Sequence, residues 1–282
     1  MTRFLITGAS GMLGRDLEAA LVGRDVTALS RTELDIADGA AALAAVAGHD
    51  VVINAAAYTK VDDAETHEDD ARRVNALGAA SLASAAAQHG ALLVQVSTDY
   101  VFDGSASTPY SEDAPLAPVS AYGRTKAEGE RLVRQILPDD SLIVRTAWLY
   151  GEHGPNFAST MLRLAGDRDT LSVVDDQRGQ PTWTHDLAEQ IVRLVDSGAR
   201  TGIFHGTSSG ETTWFGFAQA VFDEAGLDPA RITPTDSASF IRPAPRPAYS
   251  VLGHGSWEKV GLAPLPDWRE SLRAAWSAGA IA

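Results

Sequence analysis

At 282 residues, 45% hydrophobic and 21% charged, the chain can form one large domain or two unequal ones with a well-sized core. A formal charge of −14 argues against nucleic acid or an anionic membrane as partner, though a local cluster of donors can still hold an anionic small molecule. The absence of cysteine excludes disulfides, thiolate metal sites and a cysteine nucleophile, and no apolar run reaches the ~18 residues of a membrane helix.

The opening stretch, MTRFLITGAS, runs directly into a strand and lacks the n-region and cleavage site of a signal peptide, so a soluble cytoplasmic protein is expected. Continuous apolar runs at Arg3–Thr7, Val26–Leu29, Val51–Asn54, Leu92–Ser97 and Leu142–Thr146 predict strands buried on both faces, as in a parallel sheet. Between them, helices are predicted at Met12–Leu21, Gly39–Ala47, His67–His89 and Tyr122–Ile136. The acidic run Asp62–Asp70 reads as the solvated start of the third helix, where acids favour the N-terminus. After Tyr150 the rhythm loosens into a helix near Asn156–Ala165, a strand and turn in LSVVDDQRGQPTW, a helix at Thr184–Asp196 and a strand in GIFHG (202–206). A helix at Thr213–Ala225 and a proline-rich loop, RPAPRPAYS, follow.

Strand–helix alternation of this kind predicts an α/β fold, a Rossmann-type doubly wound parallel sheet with a smaller C-terminal α/β cap for substrate. We expect a dinucleotide-binding domain at 1–150 with a return segment near 168–200, and a substrate-binding cap from 151–167 and 201–282.

TGASGMLG sets Gly8, Gly11 and Gly14 between a strand and a helix. Glycines there permit a tight turn, close approach of backbone to a pyrophosphate, and close helix–strand packing. The second strand ends in Ser30 and Arg31 rather than in the acid that binds the ribose of NAD. Arg31 is therefore either the partner of an NADP 2′-phosphate or a solvated loop cation. Asp35 follows within reach of the adenine region. The small residues Ala55, Ala56 and Ala57 let a flat cofactor lie against backbone after the third strand.

The segment AYGRTKAEGE puts Tyr122 and Lys126 one turn apart on a helix face, in a chain with three lysines. Ketone reduction by hydride needs a proton at the oxygen. A phenol can give it, but its ordinary pKa of ~10 needs a nearby cation to make the phenolate accessible. Lys126 is expected to lower the Tyr122 pKa in this way. The segment VQVSTDYVFDG ends another strand in Ser97, Thr98, Asp99 and Tyr100.

Taken in order, TGASGMLG, LDI, NAAAYTKVDDAE, STDYVFDG, YGRTKAEGE, RTAWLYG, NFASTMLRLA, DDQRGQPT and RPAPRP resemble the dTDP-4-dehydrorhamnose reductase family of extended short-chain dehydrogenase/reductases over nearly the whole chain. The resemblance implies NAD(P)H-dependent reduction of the C4 ketone of dTDP-4-dehydro-L-rhamnose, with NADPH preferred and NADH possible. It implies cofactor contacts at Gly8, Gly11, Met12, Leu13, Gly14, Ser30, Arg31, Asp35, Ile36, Ala55, Ala56, Ala57, Tyr122 and Lys126. For the substrate it implies Thr98, Asp99, Tyr100 and Trp148, with Asn156 and Gln177 from the cap and Arg242 and Arg246 at the diphosphate. A core tryptophan is the alternative for Trp148, and a proline-stiffened surface loop for the two arginines.

Sugar-nucleotide 4,6-dehydratases resemble this fold but place Glu after the Asp of this motif; here Tyr100 follows Asp99, which favours simple reduction. A 4-ketoreductase making another dTDP-deoxysugar remains open. So does a non-catalytic regulatory subunit like the β-subunit of methionine adenosyltransferase, though a pure binder has no need of Tyr122, Lys126 and Thr98 together. Seven scattered histidines offer no metal-ligand spacing. Some members of the resembling family bridge a dimer through carboxylates and magnesium; His185 stands where such an acid is sought. We therefore expect no metal, and a monomer or homodimer.

Overall fold

The computed structural model describes residues 1–281. The chain runs through β1 (Arg3–Thr7), α1 (Met12–Ala20), β2 (Asp25–Leu29), α2 (Gly39–Val46), β3 (Val51–Asn54), α3 (Val61–Ala64) and α4 (Glu68–Arg72). A π-helical segment, Arg73–Gly78, leads into α5 (Ala79–His89), followed by β4 (Leu92–Thr98), α6 (Ala121–Ile136), β5 (Ser141–Thr146), β6 (Leu149–Tyr150), α7 (Phe157–Asp167) and β7 (Leu171–Val174). Next come β8 (Arg178–Gly179), β9 (Thr182–Trp183), α8 (Thr184–Asp196), β10 (Gly202–His205), β11 (Ser208–Ser209), β12 (Thr212–Thr213) and α9 (Trp214–Glu224). The last elements are β13 (Ile232–Thr235), α10 (Gly255–Lys259), β14 (Leu265–Asp267) and α11 (Trp268–Ser277).

Six strands form one parallel sheet in the order β2-β1-β3-β4-β5-β10. Strand periodicity explains why its runs are apolar without interruption. Phe4, Ile6, Val51, Ile53, Leu92, Val94, Leu142 and Val144 point to one face, where they meet Leu13 and Leu17 of α1 and Leu187 and Ile191 of α8. Their neighbours Leu5, Val52, Leu93 and Ile143 point to the other face, against Leu82, Ala83 and Ala86 of α5 and Val133 of α6. Strand order reverses between β1 and β3, so a crevice opens at their carboxyl ends. A third core, around Tyr150, Phe217, Phe222 and Leu272, holds α7, α9 and α11 over four two-stranded sheets.

Three differences from the sequence expectation have local causes. The helix expected over His67–His89 is interrupted by the π-helical turn, where buried Asn75 accepts from the Tyr58 amide at 2.8 Å and donates to Thr125 Oγ1 at 3.1 Å. Those partners are distant in sequence and leave no local signature. β7 pairs with β13 rather than returning to the main sheet, whereas β10 lies parallel to β5 in the main sheet. Finally, the acids of 62–70 are not simply solvated. Glu65 accepts from the Ala121 amide at 2.8 Å, Glu68 pairs with Arg124 at 2.7 Å, and Asp63 bonds the Tyr58 hydroxyl. Glu65 and Glu68 staple this segment to α6, and Asp63 ties it to the loop after β3.

Candidate active site

The crevice is a cleft of about 950 Å³. Its lining gathers Gly8, Gly11, Met12, Leu13, Gly14, Arg31, Asp35, Ile36, Ala55, Ala56, Ala57, Tyr122 and Lys126. It adds Ser97 and Thr146, which lie in the STDYVFDG and RTAWLYG segments without having been expected as contacts, and Arg15, Arg73 and the segment Glu152–Pro155. Arg73 lies on the π-helical turn and pairs with Asp35, so its place in the cleft depends on that tertiary feature.

The lining suits a dinucleotide. Gly8 has φ +76°, and a Cβ on it would lie 2.6 Å from the Ala56 nitrogen, so the first and third strand ends meet through bare backbone. Gly11 caps α1 without a side-chain bond, and the first turn of α1 contains no acid. Free N–H groups and the positive helix end are thus available to a diphosphate. The hydroxyls of Ser97 and Thr146 are buried on the cleft wall without partners, offering two unused polar contacts.

Ser30 is the exception among the expected cofactor residues. Its amide donates to Glu33 Oε2 at 2.8 Å and its hydroxyl donates to the same oxygen at 2.6 Å, and it lies off the cleft lining. Glu33, which holds Ser30 in this way, also lies off the cleft lining.

On the opposite wall, the Ser120 hydroxyl caps α6 by accepting from the Gly123 amide at 3.1 Å. That cap starts the helix one residue before Tyr122, with Lys126 one turn on. The Lys126 ammonium is buried and donates to the Val96 carbonyl at 2.6 Å. Burial pulls it down to about 8, with the Glu130 carboxylate opposing. Burial raises the Tyr122 phenol above its ordinary value, and the Thr98 hydroxyl is the group that opposes the rise. In this geometry the Lys126 ammonium is turned to the Val96 carbonyl, and Thr98 is the side chain that bonds the Tyr122 phenol.

Beneath Tyr122, the Thr98 hydroxyl donates to Asp99 Oδ1 at 2.9 Å and accepts from the Tyr100 amide at 3.2 Å. Asp99 is buried and its Oδ2 has no hydrogen-bond partner; burial raises its carboxyl to about 6. Asp99 thus backs Thr98 instead of facing the cleft. The Tyr100 ring meets that of Tyr122 edge-on at 5.6 Å, and burial pushes its phenol up to about 12.

The remaining expected substrate residues divide. Trp148 is half-buried at φ +48°, stacked on Trp214 at 3.6 Å, and is no ordinary core residue. Asn156 caps α7: its Oδ1 accepts from the Ser159 amide at 3.0 Å and its amide donates to Gly151 O at 2.9 Å. That explains an Asn at this position without a ligand. The Gln177 amide donates to Ser237 Oγ at 2.8 Å. Arg246 donates to Asp62 Oδ1 at 2.9 Å, and Arg242 approaches the same carboxylate at 3.9 Å.

The model of the RmlD substrate binding domain matches residues 2–280. The chain belongs to this family. It is 52% identical to the dTDP-4-dehydrorhamnose reductase of Streptomyces griseus, over 98% of this chain and 93% of that one. It is 50% identical to the dTDP-4-keto-6-deoxy-D-glucose reductase of Streptomyces niveus, over 97% and 96% respectively. The crystal structure of dTDP-4-dehydrorhamnose reductase from Bacillus anthracis in complex with NADP superposes with a TM-score of 0.95 at 37% identity, covering 99% of this chain and all of that one. Membership fits the fold, a parallel six-stranded sheet beneath a smaller α/β cap. Among the described residues no helix is long and apolar enough to cross a membrane.

Proposed function

We propose that this protein reduces the C4 ketone of dTDP-4-dehydro-L-rhamnose to give dTDP-L-rhamnose, using NADPH. The observation that carries the proposal is the gathering of Tyr122 and Lys126 onto one wall of the Gly8–Ala57 cleft, with Thr98 directly beneath, in a chain of this family. The lining fits the cofactor: α1's N-terminus and Gly8 for the diphosphate, Arg31 for the 2′-phosphate, Ala55–Ala57 for the flat stretch between. When bound, NADPH supplies the hydride that reduces the ketone.

Tyr122 donates its phenolic proton to the C4 oxygen as negative charge grows there. The raised phenol pKa keeps that proton in place at neutral pH, so every resting enzyme carries the donor. Lys126 then stabilises the phenolate left behind and holds the ribose. Thr98, fixed from behind by Asp99, orients the carbonyl oxygen. Tyr100 stands where a 4,6-dehydratase carries the Glu that removes a ring proton, which supports simple reduction. Trp148, Arg242 and Arg246 form the substrate side, with the arginines available to the diphosphate.

A second reading, a 4-ketoreductase for a different dTDP-deoxysugar, is favoured by one observation: the relative named for 4-keto-6-deoxy-D-glucose is as similar as the one named for rhamnose, at 50% against 52% identity. A product assay separates the two. Incubation with NADPH and dTDP-4-dehydro-L-rhamnose yields dTDP-L-rhamnose under the first reading. Turnover only with a differently configured keto-sugar establishes the second, and oxidation of neither cofactor by any keto-sugar nucleotide refutes both. Arg31→Ala further tests the cofactor assignment: it weakens NADPH binding about tenfold or more and leaves NADH within about threefold.

A further inference from the structure

Asp62 sits in the first turn of α3, where the helix N-terminus favours a carboxylate. It is far in sequence from the loop it holds. Its Oδ1 accepts from Arg246 Nη2 at 2.9 Å and from the Ala244 amide at 3.3 Å, and its Oδ2 lies 3.9 Å from Arg242 Nη1. Both members of the closest pair are largely shielded, with side-chain exposures of 21% for Arg246 and 31% for Asp62. The 242–247 segment therefore forms a strap tied at its middle to α3. Its far end is fixed too: Pro247 is packed so tightly on Gly104 that a Cβ there would approach it to 2.3 Å.

The strap carries Arg246 onto the catalytic wall. Its Nη1 donates to the Tyr100 hydroxyl at 3.2 Å, and its guanidinium carbon lies 5.7 Å from the Tyr100 ring centroid. Tyr100 in turn meets Tyr122 edge-on. A continuous chain of contacts thus runs from Asp62 through Arg246 and Tyr100 to Tyr122. Neither Asp62 nor any other residue of its helix lines the cleft itself.

We propose that Asp62 is a positioning residue for the sugar-nucleotide side of the site: it anchors the 242–247 strap and thereby fixes Arg246 against Tyr100. Asp62 touches neither cofactor nor reacting atoms. Its contribution is to hold Arg246 in place before substrate arrives, so that binding does not have to order a mobile arginine. The kinetic half of the test rests on the reductase reading above; the structural half does not.

Asp62→Asn preserves size and removes the charge. Hydrogen exchange of the ligand-free protein, followed by mass spectrometry, is expected to speed up by about tenfold across 241–249 while the sheet strands are unchanged. With dTDP-4-dehydro-L-rhamnose as substrate, KM for the sugar nucleotide is expected to rise about tenfold with kcat within about threefold, and the Kd of NADPH is unaltered. Arg246→Gln is expected to raise KM similarly, and the double variant to be no worse than Arg246→Gln alone. Unchanged exchange in 241–249 overturns the anchor. Faster exchange with an unchanged KM, or additive effects in the double variant, overturns the positioning role. If the wild-type protein fails to turn over the sugar nucleotide, the reductase reading falls while the exchange comparison still decides the anchor.

Discussion

Burial acts in opposite directions on Tyr122 and Lys126, which lie one turn apart on α6. It pulls the Lys126 ammonium down to about 8 and raises the Tyr122 phenol, so the proton donor is fully protonated while its cation titrates near the working range. The consequence for pH follows from the sign. Above about pH 8 the folded protein gives up the Lys126 proton, and kcat/KM is expected to fall about tenfold per pH unit. In Lys126→Arg the guanidinium stays charged, so a slower enzyme without that alkaline limb is the expected outcome. An unchanged limb near 8 in the arginine variant would assign it to another group. Stability runs the other way: between about 8 and the ordinary lysine value of 10.5 the unfolded chain binds more protons at this site, so this group's contribution to stability rises with pH there. Much of this was legible in sequence, because a Tyr and a Lys four apart on a helix are necessarily near each other. That the ammonium is turned to the Val96 carbonyl was not legible, since it depends on how α6 sits on β4.

The six strands of the main sheet were readable because their runs are apolar on both faces, and their observed bounds differ from those expected by at most a residue; short strands such as β13 and β14 carry no such run and were not expected. The π-helical turn at Arg73–Gly78 was unreadable for the opposite reason. Its residues carry no signal that separates a π-turn from an ordinary helix, and it is held by bonds from Asn75 to Tyr58 and Thr125, 17 and 50 residues away. Asn75→Ala removes the partner of the half-buried Tyr58 amide, while the Thr125 hydroxyl keeps its bond to the Tyr122 carbonyl, which costs about 1–3 kcal/mol of stability in a urea melt. A loss below about 0.5 kcal/mol would show that the turn is held by something other than Asn75. The same variant is expected to weaken NADPH, because Arg73 reaches the cleft from this turn. Asn156 has a local role that its sequence context did not show: its side chain completes a capping box on α7.

One buried ion pair spans the molecule's parts. Arg145 on β5 pairs with Glu130 on α6 at 2.8 Å, both 2% exposed, and Arg145 also donates to the Glu112 carbonyl at 3.1 Å and His205 Nε2 at 3.3 Å. His205 accordingly remains neutral, its pKa lowered to about 3 by burial and by Arg145, and its ring bonds the Gly253 carbonyl. Sheet, catalytic helix and C-terminal segment therefore converge on one guanidinium. Glu130→Gln leaves Arg145 without its counter-charge and is expected to cost about 3–5 kcal/mol, whereas replacing both residues by methionine costs far less. An equal loss in both variants would mean that packing, not charge, holds this junction. Nothing in the sequence pairs residue 130 with 145; such a link exists only once β4, β5 and α6 are assembled. All these arrangements serve one claim, that Tyr122 delivers the proton in the NADPH-dependent reduction of a dTDP-4-keto-sugar. The most direct measurement follows nicotinamide absorbance with dTDP-4-dehydro-L-rhamnose for the wild type and Tyr122→Phe, alongside NADPH binding by fluorescence. The expected result is a fall in kcat of about 100-fold or more with an unchanged NADPH Kd. Turnover in Tyr122→Phe within about threefold of wild type, at the same cofactor affinity, would contradict it.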